Sequence, residues 1–495
     1  MRSFAASRAA AGVASVCLAS AGAVLAREVT VADAAREGGA QRATGAPPPE
    51  HLEAFHTWLL ARGAEMDGVK VAPSADPTSG LALIATQSPS PWPRILRPST
   101  WLRTPGCVLA TFPLESALTV NTCCLHPVVG PLLSRWLADD TISEREAVQL
   151  FLLVQRARGT GSEYAPYVSL LSTPSSPLCW TATELDWLRG TTLWEAVRAQ
   201  LRQCTLTWQK RMVPLAKQAL ALYGVPPSRV SEDDWLWAVS VFWSRALIFP
   251  EPGASTQSFA EGIVPGLDMA NHGGARANGS WAVERDDSAR RWAFVVRDAP
   301  WRSRGLTPGT EVVINYGNDR PSEEMLFVYG FLDGHRINPA DSLLVTPVLL
   351  DPDDEVTSRR NWLLVHAGLE PRAFLPASGL RSARDTTAAV EAALRMLVIW
   401  ALTPEEVLAS SEGWTAASLD AALAKHRTGA ALLLLRTLEQ RQSAQLATGT
   451  EAQDEQLLRD EALPPKQRAA VAYRRTQKKL AAHYLQAVRN MLARM

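Results

Sequence analysis

The segment EVVINYG (311–317) constrains this chain more than any other. An alternating apolar run ends in Asn-Tyr-Gly, which reads as a strand finishing on a tyrosine, with a glycine to turn the backbone. Upstream, VPGLDMANH (264–272) is a turn-forming stretch that closes on an Asn-His pair. Downstream, EEMLFVYGFL (323–332) carries a second tyrosine followed by Gly and Phe. Phenol, amide and imidazole groups can orient a ligand by hydrogen bonds without bringing a full charge.

The chain has 495 residues, too many for one hydrophobic core, and two or three domains are expected. Lys+Arg and Asp+Glu are both 50, so the chain lacks the basic excess of a nucleic-acid-binding protein. The 17 tryptophans, many before residue 310, predict a well-filled core in that part. None of the six cysteines forms a CxxC pair or joins a histidine cluster, so neither zinc nor a disulfide framework is expected. No GxSxG elbow is present, which argues against a serine hydrolase of that type.

Residues 1–27 contain Arg2, Arg8 and Arg27, no acid, and an apolar Ala/Ser-rich run from Ala9 to Ala26. This reads as a cleaved targeting segment, with Val24-Leu25-Ala26 as a small-residue cleavage pattern. Its Ala/Ser composition favours an organelle, plastid or mitochondrion; a secretory or cytoplasmic location stays open. Once the segment is removed no stable membrane span is expected, because no other stretch is long and apolar enough. Residues 28–50 read as a flexible linker.

A helix is expected over 51–65, stopped by Gly63, followed by β runs at VKVAP, 79–86 and 106–120. The Pro-rich stretch 88–105 between them reads as a loop. Residues 127–249 are expected to be mainly helical. Within them, 144–158 is amphipathic, and 235–249 is apolar on every face apart from Ser240, Ser244 and Arg245, so it is expected to be a buried helix. WAVERD (281–286) and RRWAFVVRD (290–298) read as a hairpin, and PGTEVVINYG as a turn and a strand. After about residue 345 the texture becomes helical, with helices at 386–402, 422–441 and 464–495. The last is rich in Lys and Arg, which suits a solvated helix face or an acidic protein partner.

The order and spacing of these motifs resemble the SET-domain protein methyltransferases, in the branch of the Rubisco large-subunit lysine methyltransferase and the actin-histidine methyltransferase. The helical stretch also resembles that branch in its "PY…EL…L.GT.L" pattern, here EYAPYVSLL (163–171) and ELDWLRGTTLWEAV (184–197). The resemblance implies an α+β architecture: a SET-domain β-clip fold over 51–345 with a large helical insertion at about 127–249, then an all-α substrate-binding domain over 346–495. It implies S-adenosylmethionine as methyl donor, no metal, and a protein substrate.

By the same resemblance Tyr316 and Tyr329 are the catalytic tyrosines, and Arg245, Asp268, Asn271, His272, Gly330 and Phe331 bind the donor. Gly80 and Leu81 are further donor contacts, although this strand has Ile84 where the family often has Arg. Gly273 stands where the family usually has Ser. For Arg245, two partners suit a guanidinium in an apolar helix: the donor carboxylate or an internal Asp or Glu. For Tyr316, Tyr329 and His272 the alternative is a packed or hydrogen-bonded place in the core. Leu247 and Leu267 stand where the histidine-directed member has a polar residue and Trp, so they imply an apolar channel for a lysine stem. The expected activity is methyl transfer to the ε-amine of lysine in a non-histone protein. The alternatives are a histidine-directed enzyme and a SET scaffold that binds protein without catalysis.

Overall fold

The computed structural model describes residues 47–88, 107–252, 258–286, 291–298, 306–317, 319–334, 336–346, 354–410 and 414–495. The expected targeting segment, most of the expected linker and nearly all of the Pro-rich stretch lie outside the described residues. The described residues fall into two compact units: 47–174 with 203–317, and 175–202 with 319–495.

In the first unit, helix Pro49–Ala61 starts two residues before the expected point. Pro suits a first helical turn, where its missing N–H would have no partner anyway. The chain leaves the helix through Gly63 at φ +81°, a left-handed value that glycine adopts without strain. Phe55, Trp58 and Leu59 form its buried face.

Three small sheets follow. Strands β1 (Val69–Pro73) and β2 (Leu81–Ala85) form an antiparallel pair, and the short β9 (Glu311–Val312) adds to β2. Strand β3 (Val108–Pro113) does not pair with β2. It pairs with β8 (Arg291–Asp298), which also pairs with β7 (Gly279–Asp286). The reason lies in side-chain burial: Leu109–Pro113 and Ala293–Val296 are both continuous buried runs, and Phe112 faces Phe294. Such strands bury both faces and need an apolar partner rather than an alternating one. The third sheet has the order β4 (Leu118–Thr119), β6 (Phe259–Ile263), β5 (Leu247–Pro250).

Helix Glu144–Arg158 begins on a reciprocal cap between Ser143 and Glu146 and is buried from Ala147 to Gln155. Helix Glu232–Arg245 has a matching cap, Ser231 with Asp234, and packs on it. Trp235, Trp237 and Phe242 are almost fully buried. This helix is shorter than expected. It ends at Arg245, Ala246 is extended, and Leu247–Pro250 is strand β5, hydrogen-bonded to β6. An apolar run that is buried as a helix and then as a strand shows no change of character along the sequence, so its boundary is invisible there.

Among its described residues the second unit is helical apart from one antiparallel ribbon, β10 (Ser342–Val345) with β11 (Ala373–Pro376). Helices Ala383–Ala401, Ala416–Leu446 and Pro465–Leu492 pack around a core that includes Leu394, Leu397, Leu434, Leu438, Tyr484 and Val488. No helix among the described residues is long and apolar enough to cross a membrane.

The basic helix Pro465–Leu492 is not a uniformly solvated face. Arg474 and Lys478 are almost fully buried and both bind Asp454, whose side chain is fully enclosed. Arg474 reaches one carboxylate oxygen at 2.6 Å and Lys478 the other at 2.7 Å. Burial lowers the pKa of Lys478, against the pull of Asp454. Asp454→Ala would leave two enclosed cations without a counter-charge, and breaking a buried pair in this way costs about 3–5 kcal/mol. The variant is expected to unfold at markedly lower urea concentration. Lys466→Ala, which removes a part-exposed contact to Glu184, is expected to shift stability by less than about 1 kcal/mol.

Candidate functional site

In the first unit, residues 271–279 and 311–316 lie against each other and exchange backbone hydrogen bonds. Ile314 N–H donates to Asn271 O at 2.9 Å, and Gly273 N–H donates to Ile314 O at 2.8 Å. Gly279 N–H donates to Val313 O at 2.9 Å. Asn278 closes the other side of the strand: its Oδ1 accepts from Val313 N–H at 2.8 Å and its Nδ2 donates to Glu311 O at 2.8 Å. These bonds shorten the expected strand: β9 pairs with β2 only at Glu311 and Val312, and residues 313–314 bond to the 271–279 segment instead.

This crossing holds several expected site residues together. Asn271 Nδ2 donates to Leu81 O at 3.1 Å and to Glu311 Oε1 at 2.8 Å, which ties β2 to the crossing. His272 Nδ1 accepts from Tyr316 N–H at 3.1 Å, and the two rings lie 5.1 Å apart. The Tyr316 hydroxyl donates to Ala270 O at 2.9 Å. With its proton engaged there, the phenol oxygen keeps acceptor capacity for an incoming N–H. Gly273 is explained by the same closeness: a Cβ there would lie 2.6 Å from Val313 Cγ2.

Arg245 has an internal partner. Its Nη1 donates to Asp268 Oδ2 at 2.9 Å and to Asp268 O at 3.0 Å. Asp268 also accepts from the Tyr167 hydroxyl at 2.7 Å and from Gly266 N–H at 3.0 Å. Burial pushes the Asp268 carboxyl above its ordinary pKa, although Arg245 and Tyr167 pull the other way. For Arg245 burial disfavours the charge, but Asp268 and Tyr167 outweigh it and the pKa is raised. Burial and the Asp268 charge hold the Tyr167 phenol far above its ordinary range.

Asp268 has a fully enclosed side chain engaged by three protein partners, and it anchors Arg245. Leu267 is 0% exposed and belongs to the core, so it lines no open channel. Leu247 is half-buried on β5. Gly80 sits at an exposed turn at φ +70°, with open space where a Cβ would be.

Tyr329, Gly330 and Phe331 belong to the second unit. Tyr329 ends a π-helical turn, Met325–Tyr329. Gly330 closes that turn at φ +83°, donating to Met325 O and Leu326 O. A Cβ on Gly330 would fall 2.2 Å from the Ser175 carbonyl carbon, so the position admits glycine alone. The Tyr329 and Phe331 rings lie 6.0 Å apart, and the Arg320 guanidinium is 5.7 Å from the Tyr329 ring. Burial raises the Tyr329 pKa, partly offset by Arg320.

Tyr167, Glu311, Asn278 and the Ala270 carbonyl were not among the expected site residues. Tyr167 lies in the PY pattern, which marked it as a motif position but could not disclose its partner 101 residues away. Asn278 had no signal beyond its place in a turn-rich stretch.

Solved structures share the fold. The SET domain of LSMT, in a crystal structure bound to lysine and AdoHcy, superposes with a TM-score of 0.64 at 18% identity, covering 90% of this chain and 92% of that one. Rubisco LSMT bound to AdoMet gives a TM-score of 0.62 over the same shares. The fold is that of a SET-domain protein.

Curated SET relatives agree with the fold. The chain is 25% identical over 256 residues to SET domain-containing protein 8 of Schizosaccharomyces pombe, covering 49% of this chain and 53% of that protein. It is 22% identical over 283 residues to the chloroplastic Rubisco large subunit N-methyltransferase of Pisum sativum, covering 52% and 55%. It is 23% identical over 318 residues to the chloroplastic fructose-bisphosphate aldolase lysine N-methyltransferase of Arabidopsis thaliana, covering 61% and 56%. The chain thus spans about half the length of the curated relatives it matches. No family model matches the sequence.

Asp268→Ala would leave the Arg245 guanidinium without its counter-charge. Its side chain is 22% exposed, so the expected loss is about 2–3 kcal/mol, below the range for a fully buried pair, read as a lower denaturation midpoint. Gly330→Ala combines a disallowed φ with a backbone clash, and the expected loss exceeds about 2 kcal/mol. A wild-type melting temperature for either variant would contradict this geometry.

Proposed function

We propose that this protein transfers a methyl group from S-adenosylmethionine to the ε-amine of a lysine in a non-histone protein. The observation that carries the reading is Tyr316, held by backbone and hydroxyl hydrogen bonds beside His272 at the crossing of two segments. When bound, the donor supplies an electrophilic methyl group on a sulfonium.

The residues present suit this donor. Every hydrogen bond of the Arg245 guanidinium within the unit uses Nη1, and the side chain is 22% exposed. Its Nε–Nη2 edge has the geometry for a bidentate carboxylate. Asp268 fixes that edge from behind. Asn271 and His272 hold the strand that carries Tyr316.

A lysine reacts only as the neutral amine, and its deprotonation at pH 7 costs roughly 4–5 kcal/mol. A phenol whose proton is engaged on Ala270 O presents an oxygen that accepts an amine N–H. That contact turns the nitrogen lone pair away from the phenol and limits its rotation, a positioning effect that lowers the barrier. The new N–C bond forms as the S–C bond breaks, and the product ammonium loses its extra proton to water.

A lysine acceptor is favoured over histidine by the apolar Leu247 and by the relatives. The Arabidopsis protein is named a lysine N-methyltransferase, and one LSMT structure is titled as bound to lysine. The chloroplastic names among the relatives support an organellar location for this chain.

Purified protein incubated with labelled donor and organellar extract is expected to label protein lysines, identified by mass spectrometry. Tyr316→Phe is expected to lower kcat about 100-fold, roughly 2.7 kcal/mol of barrier, with donor affinity nearly unchanged in calorimetry. Failure of the wild-type protein to bind donor would favour the non-catalytic scaffold. The rate is expected to rise between pH 7 and 9, as for an amine nucleophile. A rate flat above about pH 7 would instead indicate a histidine acceptor.

A further inference from the structure

The second unit contains a cavity. Its walls are Leu193, Ala196, Phe327 and Phe374, and its polar lining includes Glu323, Glu324, Asp341 and Gln477. It offers about 70 Å³ of water-sized space, enough for more than one water molecule.

The polar groups differ in how well the protein satisfies them. Glu324 is paired with Arg320. Asp341 is 2% exposed and accepts from Ser322 N–H at 2.6 Å and from Ser322 Oγ at 3.0 Å, without a cation. Gln477 is 1% exposed; its Nε2 donates to Ser342 O at 3.1 Å, which fixes the amide orientation and leaves Oε1 as an acceptor with no protein donor. Glu323 Oε1 is likewise buried with no hydrogen-bond partner. Two enclosed acceptors without donors are costly in an empty protein and specify what is missing: a donor, and beside two carboxylates a cationic one.

We propose that this cavity binds a primary alkylammonium group, its N–H donors on Glu323 Oε1 and Gln477 Oε1 and its methylenes against Leu193, Ala196 and Phe374. An ammonium has three donors and no acceptor, which matches a lining with acceptors to satisfy. Short methylene stems suit the apolar walls, where a hydrated metal ion would not. Phe374 is 46% exposed, so the wall it forms reaches the surface. The ammonium belongs either to a lysyl side chain or to a free alkylamine. The site stands independently of the methyl-transfer reading.

The charge of Glu323 makes the site sensitive to pH. Burial raises its carboxyl to about 7, while the Tyr473 and Thr192 hydroxyls and Arg441 pull it down and Asp341 pushes it up. Arg441 itself is paired with Glu195. The alkylammonium stays charged to about pH 10, so its affinity is expected to increase as Glu323 loses its proton.

The test is calorimetric titration of the full chain with n-butylammonium, without methyl donor. Saturable binding is expected at pH 8, about tenfold weaker at pH 6. Glu323→Gln keeps the acceptor for Tyr473 and Thr192 but removes the charge, and is expected to weaken binding at least tenfold. Phe374→Ala, at a part-exposed position that folding tolerates, is expected to weaken it severalfold. Butan-1-ol is expected not to bind, and Tyr316→Phe to bind as wild type. Tighter binding of Nα-acetyl-lysinamide than of n-butylammonium would assign the site to lysyl side chains, and the reverse to free amines. Absence of saturable binding by the wild type overturns the proposal, as does equal affinity in Glu323→Gln and Phe374→Ala. Loss of binding in Tyr316→Phe would instead place the amine at the methyl-transfer site.

Discussion

The hydrogen-bonded crossing of residues 271–279 with 311–316 is the interaction on which the first unit depends. Neither segment is a regular strand of useful length, so their backbone groups would be left without partners if they separated. An unsatisfied buried backbone group costs about as much as a lost hydrogen bond, and several are at stake here. The Asn278 side chain substitutes for a missing ladder partner on the incoming strand, and the Asn271 amide ties Leu81 O of β2 to the Glu311 carboxylate. The position of Tyr316 follows from that, because its N–H and hydroxyl are both bound within the same crossing.

Behind the crossing, the Arg245–Asp268–Tyr167 cluster shows how a buried charge becomes tolerable. A guanidinium at the end of an apolar helix needs a counter-charge, and a lone enclosed carboxylate needs more than one donor. Asp268 receives Arg245, Tyr167 and Gly266 together. The result is an arginine whose Nη1 is held by Asp268. In the second unit, Asp454 plays the same part between Arg474 and Lys478. Where such satisfaction is incomplete, at Glu323 and Gln477, the structure points to a ligand.

Much of the architecture was legible before any coordinates. Helix Glu144–Arg158 matched its expected bounds because an amphipathic period is followed by Gly159. The β7–β8 hairpin was legible from alternation around a polar turn. The run 235–249 is apolar nearly throughout, so periodicity could not locate the end of its helix. That the Asp268 and Leu267 side chains are enclosed was not legible, because a motif shows which residues recur together and not which way each side chain faces.

The residue order by itself determined the fold class and the bounds of helix Glu144–Arg158, because these rest on local chemistry and on motif spacing. Tertiary structure alone decided that Arg245 meets Asp268, that Gly273 leaves room for Val313, and that Glu323 and Gln477 face a shared cavity. Those relations join positions from about 20 to 150 residues apart, and which groups meet across such distances is set by how the whole core packs rather than by any local preference.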